Sequence, residues 1–592
     1  MATAQLLLSP KRCTAGDPLS PALFILVLET LLISIRGNRN TAGITIAGKE
    51  VKESAFADDM TCFLSNSESV DNLMQVLKKF HECRGLKINR DKTEAVWLGK
   101  WKNKNEEKFG VKWPTSPIKI VGVHFSYDKE EMQKINIEKP LNNLRKVLNQ
   151  WKSRKLSIFG KTQIIKTFGL SQFTYILANT YVKNSVLKEV HKIVYNFIWE
   201  GVDRIARKTM IDGVGKGGIG MVDLYVTKKI QRILWLKHTI SKETDHPWKY
   251  FVKEKLNKLG GDMLLKCNYS TRLLPVKFSA FMTDCFDTWA ENKGMQDNMD
   301  QVLWNNKLIL IGGKSIFYQN MYDSGIRFIS DLYIDGILKP WNEYKEKGLS
   351  LIDKLKWIGI CNTVPEELKH CKVLENRETT IVIKNKQILL EDLTKNMLKT
   401  EFISKIFVKP ISECSLERKL NLEIEWKKMY KMITRLSIDT KSREFHFKLL
   451  HNILYTNDHL HKVNPERFPE YQCTFCNEYS ETYEHLFMTC KFTESLWHDV
   501  IKELGRPLKI TEVPGKLCVI LGDPEYDWPV NFVCSLIRNH IYYSKWKKQK
   551  PNYANFINLL KHHFQIESAI AKQKEKETSH KKKWSSLIPY LK

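Results

Sequence analysis

The first 130 residues alternate apolar and polar positions in patterns that predict a region of mixed helix and strand. An apolar run at 22–35 follows the turn sequence GDPLSP and predicts a buried helix. Residues 43–51 and 53–65 alternate with a period of two, which predicts short strands and a hairpin with two adjacent aspartates at its tip. Apolar residues recur at helical spacing over 69–85. Further strand-like stretches occupy 86–99 and 118–125. We therefore expect an α+β fold with a small antiparallel sheet packed on helices.

Beyond residue 130 the apolar positions recur mainly with a helical period. Helices are expected in 138–172, 184–200, 223–240 and 424–462, and in a basic final segment, 535–592. The stretch from 241 to 423 is mixed, with both strand-like and helical portions. These changes predict five segments: 1–130, 131–240, 241–423, 424–505 and 506–592.

The charge of the chain changes the range of expected partners. The 592 residues include 94 Lys and Arg against 66 Asp and Glu, a formal net charge of +28. An excess of this size favours a polyanionic partner, and nucleic acid is the usual one. A basic protein with a merely solvated surface is the alternative.

Cysteine usage and hydropathy indicate where the protein acts. The 13 cysteines are odd in number and scattered except for one cluster at 473–490, which favours a reducing compartment over a disulfide framework. No signal peptide is evident at the start of the sequence. The apolar run at 22–35 is shorter than a bilayer span and contains Glu29. We expect an intracellular protein of the nucleus or cytoplasm, without a membrane partner.

Asp58 and Asp59 stand side by side inside an apolar, strand-like run. Adjacent like charges repel, so a cationic side chain or a metal ion should compensate them. Carboxylate oxygens are hard ligands that suit Mg²⁺. Two aspartates on a solvated turn are the alternative, which the pair alone does not exclude.

The cysteine cluster has the spacing of a metal site. Its four candidate ligands follow the pattern Cys-x2-Cys-x8-His-x4-Cys, and a set of this kind suits tetrahedral Zn²⁺. Unligated buried cysteines are the alternative. The ligands are Cys473, Cys476, His485 and Cys490, and the small core of the module is expected from Phe475, Leu486 and Phe487.

Cations interleaved with aromatic residues occur twice near the C-terminal end. Such a pattern can contact phosphates and stack on bases, whereas a solvated helical face is the alternative. The candidate nucleic-acid-binding residues are Lys545, Trp546, Lys547, Lys548, Lys581, Lys582, Lys583 and Trp584.

The order and wording of several motifs resemble the reverse transcriptase of LINE-type non-LTR retrotransposons. FADD at 56–59 lies between GDPLSPALF at 16–24 and GLKINRDKTE at 85–94. Later stretches resemble the same group: RKLSIFGKTQIIKTFGLSQFTYI, NFIWEG, GGIGMVDL and FHFKLLHNILYTNDHL. The resemblance extends over nearly the whole chain. It implies an RNA-directed DNA polymerase that uses two-metal nucleotidyl transfer, with an RNA template and a DNA primer or target as partners.

The resemblance also implies roles for individual residues. Asp58 and Asp59 would be the catalytic carboxylates that bind Mg²⁺, and Lys92 would assist the pyrophosphate leaving group. The residues implied beside the nucleotide and template are Gly16, Pro18, Leu19, Ser20, Pro21 and Phe56. The zinc module would either contact RNA or only hold a subdomain together. The five segments would be a partial palm, a thumb-like helical region, a mixed connector, a helical zinc-binding domain and a basic helical end.

One departure from the family bears on activity. The family places another metal-binding aspartate on a strand before the GDPLSP element, together with the fingers, and we expect an N-terminally truncated chain that lacks them. The acidic residues before Asp58 are Asp17, Glu29, Glu50 and Glu53. Three hypotheses remain open: a polymerase completed by a partner chain that supplies the missing palm strand, a non-catalytic nucleic-acid-binding remnant, and a fragment without function.

Overall fold

The computed structural model describes residues 19–591, apart from 87, 105, 115–116, 244, 295–300, 371–377 and 437–438. The chain divides into two compact units, each built from three stretches of sequence. The first unit comprises Met1–Pro140, Tyr175–Val182 and Lys228–Leu398. The second comprises Leu141–Thr174, Lys183–Thr227 and Lys399–Lys592. The five segments expected from the sequence stay a prediction.

The described residues are rich in helix and contain small antiparallel sheets, which is compatible with the expected α+β class. The helices are α1 Ser20–Gly37, α2 Ser67–Arg84, α3 Lys129–Lys152, α4 Ile158–Ile164, α5 Ser171–Asn179, α6 Asn184–Trp199, α7 Arg207–Met210, α8 Leu224–Ile240, α9 Pro247–Asn257, α10 Ala280–Asn292, α11 Gln319–Asp323, α12 Asn342–Glu346, α13 Leu351–Cys361, α14 Glu366–Lys369, α15 Lys395–Ile406, α16 Ser412–Leu420, α17 Trp426–Leu436, α18 Thr440–Leu450, α19 Asn457–Val463, α20 Lys491–Leu508, α21 Lys516–Ile520, α22 Trp528–Trp546, α23 Tyr553–Gln573, α24 Glu577–Trp584 and α25 Ile588–Leu591.

Every strand of the described residues pairs in a two-stranded antiparallel hairpin. The strands are β1 Ile44–Ile46, β2 Lys49–Val51, β3 Glu53–Phe56, β4 Asp59–Cys62, β5 Ile118–Ile120, β6 Val123–Phe125, β7 Leu310–Ile311, β8 Lys314–Ser315, β9 Tyr333–Ile334, β10 Ile337–Leu338, β11 Thr380–Ile383 and β12 Lys386–Leu389. The hairpin expected with the two aspartates at its tip is confirmed, and the strand-like stretches at 43–51 and 118–125 each form a hairpin of their own. Within the described residues they are separate hairpins, where a single small sheet was expected.

The strands expected over 86–99 are wrong. In the described part of that stretch the chain forms turns, and Glu94 makes an isolated bridge to Lys112. Asn89 accounts for the difference, because its side chain and carbonyl both accept the N–H of Lys92 and close a turn. The turn interrupts the alternation that suggested a strand.

The helices α1 and α2 form a small core at the start of the first unit. Leu31 and Ile35 of α1 pack with Leu73 and Leu77 of α2, and all four side chains are buried. The hairpin β3–β4 lies against this core through residues of β4 that include Met60. The expected helices over 22–35 and 69–85 are therefore confirmed, and the core they share supports the aspartate hairpin.

The expectation that the helix over 22–35 is buried is wrong for most of its surface. Of α1 only Leu31, Leu32 and Ile35 are buried. Leu26 is 65% exposed, and other apolar side chains of the helix are exposed as well. By length and composition alone, α1 could also cross a membrane, a property that it shares with core helices and signal sequences.

A buried ion-pair network lies further along the first unit. The fully buried Arg232 of α8 donates from Nε to Asp284 of α10, over 2.7 Å, and from its other nitrogens to the carbonyls of Leu177 and Thr180. Lys228 lies 2.9 Å from the second oxygen of Asp284. Buried charges require this degree of pairing, so the network fixes α8 against α10 and the end of α5.

The helices expected after residue 424 are confirmed, and they build much of the core of the second unit. Along α22, most side chains from Val530 to Lys545 are buried, including the fully buried Arg538. Arg538 donates to the carbonyls of Cys518 and Val519 in α21, over 2.7 and 3.0 Å. The basic final segment therefore contributes α22 to the helical core of the second unit, whereas many side chains of α23 and α24 are exposed.

Candidate metal centre and carboxylate hairpin

The aspartate pair occupies the tip of the hairpin β3–β4. Phe56 pairs with Asp59, so Ala57 and Asp58 form the two-residue turn. Ala57 adopts a φ of 52°, the left-handed conformation that a tight hairpin turn of this type requires. Because side chains alternate along β4, Met60 points to the α1–α2 core and Asp59 points away from it.

Both aspartates are exposed, and so is Phe56, with 69% of its surface accessible. The sequence suggested that cationic side chains or metal ions would compensate the pair. Among the described residues no cationic side chain forms an ion pair with either carboxylate, and compensation by a metal ion stays a prediction. Their four oxygens are free to bind a hard divalent cation such as Mg²⁺.

The other acidic residues that precede Asp58 in the described part of the chain are engaged with cations. Glu29 pairs with Arg36, and Arg36 Nε lies 3.1 Å from Glu53. Glu50 lies 3.4 Å from the buried Lys52 and accepts the backbone N–H of Gly43. Within the residues that the structure describes, no further His, Cys, Asp or Glu joins Asp58 and Asp59 to make a group of three metal ligands. The hairpin thus offers two of the carboxylates that the family resemblance implies.

The remaining residues implied beside this site are distributed around the start of α1 and the loop after α2. Leu19 and Pro21 are exposed, and Ser20 is the first residue of α1 with a buried hydroxyl. Lys92 is exposed in the turn closed by Asn89. Gly16 and Pro18 lie outside the described residues. The roles implied for all of them stay predictions.

The four predicted zinc ligands converge on one point. The ligand atoms of Cys473, Cys476, His485 and Cys490 all lie within 4.8 Å of one another. Cys473 Sγ is 3.8 Å from Cys490 Sγ, and Cys476 Sγ is 3.3 Å from His485 Nε2. Bond lengths of about 2.3 Å for Zn–S and 2.0–2.1 Å for Zn–N give tetrahedral edges of roughly 3.5–3.8 Å. The donor set and its spacing therefore fit Zn²⁺.

Local backbone structure builds this centre. Cys473 N–H donates to the carbonyl of Tyr479 over 2.8 Å, and Asn477 N–H donates to the carbonyl of Cys473 over 2.9 Å. Asn477 takes a φ of 57°, which lets the loop fold back after Cys476. Cys490 directly precedes α20. His485 Nδ1 is 3.3 Å from Thr489 Oγ1, a contact that orients the ring so that Nε2 faces the sulfur atoms.

The predicted core of the module is also confirmed, since Phe475, Leu486 and Phe487 are all buried. A residue that sequence reasoning missed is Glu481, which is completely buried beside the cluster. It accepts hydrogen bonds from the backbone N–H of Asn457, from the N–H and hydroxyl of Thr474, and from Lys545 Nζ. An acidic residue between Cys476 and His485 is the only signal that could have indicated it.

The basic and aromatic residues near the C-terminal end divide into buried and exposed members. Lys545 is 4% exposed and pairs with Glu481, and Trp584 is fully buried, with Nε1 donating to Glu567 over 3.0 Å. Lys583 lies 2.6 Å from the same carboxylate. Because these side chains are engaged internally, Lys545 and Trp584 are not available to a nucleic acid in this structure. The exposed members of the predicted set are Trp546, Lys547, Lys548, Lys581 and Lys582.

Comparison with known proteins shows which families the regions around these two sites resemble. The family described as "Reverse transcriptase (RNA-dependent DNA polymerase)" matches residues 3–125, which contain the hairpin. The family described as "zinc-binding in reverse transcriptase" matches residues 413–497, which contain the cluster. Residues 3–125 and 413–497 are therefore similar to the reverse transcriptase family and to the zinc-binding family of reverse transcriptases.

Two curated proteins similar to this chain come from Popillia japonica, and both are named "Retrovirus-related Pol polyprotein from type-1 retrotransposable element R2". One is 33% identical over 81 residues, which are 14% of this chain and 11% of the relative. The other is 26% identical over 200 residues, 33% of this chain and 31% of the relative. The matched residues thus span about a tenth of the length of the first relative and about a third of the length of the second.

Proposed function

We propose that the protein takes part in RNA-directed DNA synthesis by a non-LTR retrotransposon of the LINE type. Its reverse transcriptase region would extend a DNA primer at a target site along an RNA template. The observation that carries the proposal is the position of Asp58 and Asp59 at the exposed tip of a hairpin that packs on the α1–α2 core, within residues that match the reverse transcriptase family. In this proposal residues 1–130 are part of the palm and the helices that follow are the thumb.

The proposed chemistry assigns a separate task to each side chain. Asp58 and Asp59 hold Mg²⁺, which when bound offsets the charge that develops on the reacting phosphate. Phe56 lies on the same face of the hairpin as Asp59, because the two residues are paired across the strands. Lys92, in the exposed turn after α2, would donate a proton to the leaving pyrophosphate.

A second candidate function is nucleic-acid binding without synthesis. The observation that favours it is the pairing of Glu29, Glu50 and Glu53 with cations, which leaves Asp58 and Asp59 without a third carboxylate among the described residues. Two carboxylates hold a metal more weakly than three, since fewer charged oxygens surround it. Activity would then require a further carboxylate from another chain.

The zinc module would support either function. Its ligands fit Zn²⁺, and we propose that the metal holds the knuckle and the start of α20 together while exposed cations nearby contact RNA. The described cysteines are all free thiols, as a reducing intracellular compartment would leave them.

Primer extension on an RNA template with Mg²⁺ tests the proposal. The full chain should extend the primer, and the double variant Asp58→Ala, Asp59→Ala should not. A parallel titration of binding to the primer–template, repeated at several salt concentrations, separates the two functions. Extension abolished by the double variant supports the polymerase, whereas salt-sensitive binding without extension identifies the non-catalytic function and overturns the first proposal.

A further inference from the structure

Three tryptophans form a cluster in the loop after α2. Trp97 and Trp113 lie with ring centroids 4.9 Å apart and an angle of 23° between their planes. Trp101 adjoins Trp97 at 6.2 Å and 41°. Trp97 and Trp113 are half-buried, whereas Trp101 is the outermost ring, 46% exposed. We refer to these three residues as the tryptophan cluster.

The cluster is held by hydrogen bonds from within the loop. Trp97 Nε1 donates to the carbonyl of Glu106 over 3.1 Å, and Trp113 Nε1 donates to the carbonyl of Lys108 over 3.0 Å. Lys108 Nζ in turn donates to Ser67 Oγ, at the start of α2, over 3.0 Å. The two inner rings are therefore fixed in orientation and tied to a helix of the first unit. An outer ring packed beside this fixed pair has less freedom to lose when a further planar partner binds.

Cations adjoin the outer ring both in space and in sequence. Lys104 Nζ lies 4.4 Å from the centre of the Trp97 ring and 5.2 Å from that of Trp101, and it pairs with Glu106. Lys100 and Lys102, the two sequence neighbours of Trp101, are both exposed. An exposed indole between two exposed lysines combines a π face for a base with charges for the adjoining phosphates.

A plain packing role explains the inner rings but not the outer one. Trp97 and Trp113 bury apolar surface and satisfy their N–H groups, as core residues do. Nearly half of the surface of Trp101 is exposed to water, and a smaller residue at this position would expose less apolar surface. A protein partner would also meet an apolar ring, but the flanking lysines would have to be desolvated or paired.

We propose that Trp101 stacks on a base of single-stranded nucleic acid while Lys100 and Lys102 neutralise the adjoining phosphates. The ligand class rests on the proposed function, because a template is single-stranded before it is copied. The site itself lies outside the carboxylate pair, so it can be tested without any synthesis.

The test measures binding of fluorescently labelled, unstructured oligonucleotides, one of uridines in RNA and one of thymidines in DNA, by anisotropy. Trp101→Ala should weaken binding roughly 5- to 100-fold, which corresponds to the loss of one base stack. Trp101→Phe should retain most of the affinity, because an aromatic face remains. The double variant Lys100→Ala, Lys102→Ala should lower the slope of log affinity against log salt by about 1.4, the value for two single-strand phosphates.

Trp248→Ala is the matched control. Trp248 is 39% exposed and rests on Trp235 at 5.5 Å and 32°, but its neighbours in the sequence are Pro247 and the buried Lys249. The Trp248→Ala variant should bind both oligonucleotides with the affinity of the unmodified chain. Equal affinity of the Trp101→Ala and Trp248→Ala variants for the oligonucleotides would overturn the proposal. Complete displacement of the labelled single strand by a blunt duplex at the same concentration would overturn it as well. If the unmodified chain does not extend a primer but Trp101→Ala still weakens oligonucleotide binding, the proposed function is refuted and the stacking proposal stands.

Discussion

Lys545 and Glu481 form an ion pair inside the protein, with Nζ 2.5 Å from the carboxylate and side chains that are 4% and 0% exposed. Burial lowers the pKa of the Lys545 ammonium in spite of the nearby carboxylate. Glu481 also holds Thr474, which lies between the zinc ligands Cys473 and Cys476. The pair therefore joins the metal centre to α22.

Removal of both partners should cost clearly less stability than the sum of the two separate removals. Lys545→Ala leaves a buried carboxylate without its cation and should lower the free energy of unfolding by roughly 3–5 kcal/mol. The double variant Lys545→Met, Glu481→Gln should lose clearly less than the sum of its single variants. Urea unfolding at pH 7 measures these values, with the exposed Lys547→Ala as a control expected within about 0.5 kcal/mol of the unmodified chain. A Lys545→Ala variant as stable as this control would contradict the structure.

The two tryptophans of the basic segments should respond in opposite ways. Trp584 is fully buried among Trp528, Phe532 and Phe564, so Trp584→Ala should cost about 3–5 kcal/mol of stability. Trp546 is 55% exposed, so Trp546→Ala should leave stability nearly unchanged. If the predicted role in nucleic-acid binding holds, Trp546→Ala should weaken RNA binding. Thermal unfolding and RNA titration of the same preparations distinguish the two positions. A Trp584→Ala variant as stable as the unmodified chain would contradict the burial of this ring.

The metal centre should contain one zinc ion per chain that stabilises the second unit. Cys490→Ser removes one ligand and should abolish stoichiometric zinc, as measured by elemental analysis of the purified protein. Because zinc binding contributes to folding free energy, the variant should also unfold at a lower temperature. Cys414→Ser is the control, since Cys414 is an exposed free thiol away from the cluster. Equal zinc content in the two variants would exclude this ligand set.

Acid should destabilise the second unit before its carboxylates are protonated. Burial lowers the pKa of His451 to about 4, and burial together with Arg538 lowers that of His446 to about 3. Each ring is neutral and its Nε2–H donates to a carbonyl, that of Gly217 for His451 and that of Leu521 for His446, both over 2.8 Å. The unfolded chain takes up these protons near pH 6.5, so the free energy of unfolding falls as the pH drops from about 6.5 to about 4.

His451→Gln isolates this effect, because the amide can still donate to Gly217 but does not titrate. The slope of the free energy of unfolding against pH, between 6.5 and 5, should decrease by up to about 1.4 kcal/mol per pH unit. His498→Gln is the control, with a side chain that is 81% exposed. Identical slopes in the unmodified chain and the His451→Gln variant would show that His451 is not held neutral by burial.

The sequence was sufficient to predict features that depend on residues close together along the chain. The tip of the β3–β4 hairpin and the four zinc ligands are close along the chain, so alternation and spacing were sufficient to place them. The burial of Lys545 depends on Glu481, which is distant in sequence, and that of Trp584 on Glu567 and on the aromatic rings of α22 and α23 that pack around it, and a lysine-rich pattern gives no sign of these partners. The exposure of Leu26 could not be foreseen for the same reason, because an apolar run does not specify what packs against it.

The most direct test of the central claim is the rate of single-nucleotide addition by the variants Asp58→Asn and Asp59→Asn, assayed separately with Mg²⁺. Asp335→Asn is the matched control, because Asp335 is an exposed aspartate at the turn of the hairpin β9–β10 in the same unit. The account predicts that each of the first two variants adds the nucleotide at least about 1,000-fold more slowly, since a catalytic metal contributes several kcal/mol. Asp335→Asn should react at the unmodified rate. Addition by Asp59→Asn at the rate of Asp335→Asn would contradict the claim that the chemistry occurs at this hairpin.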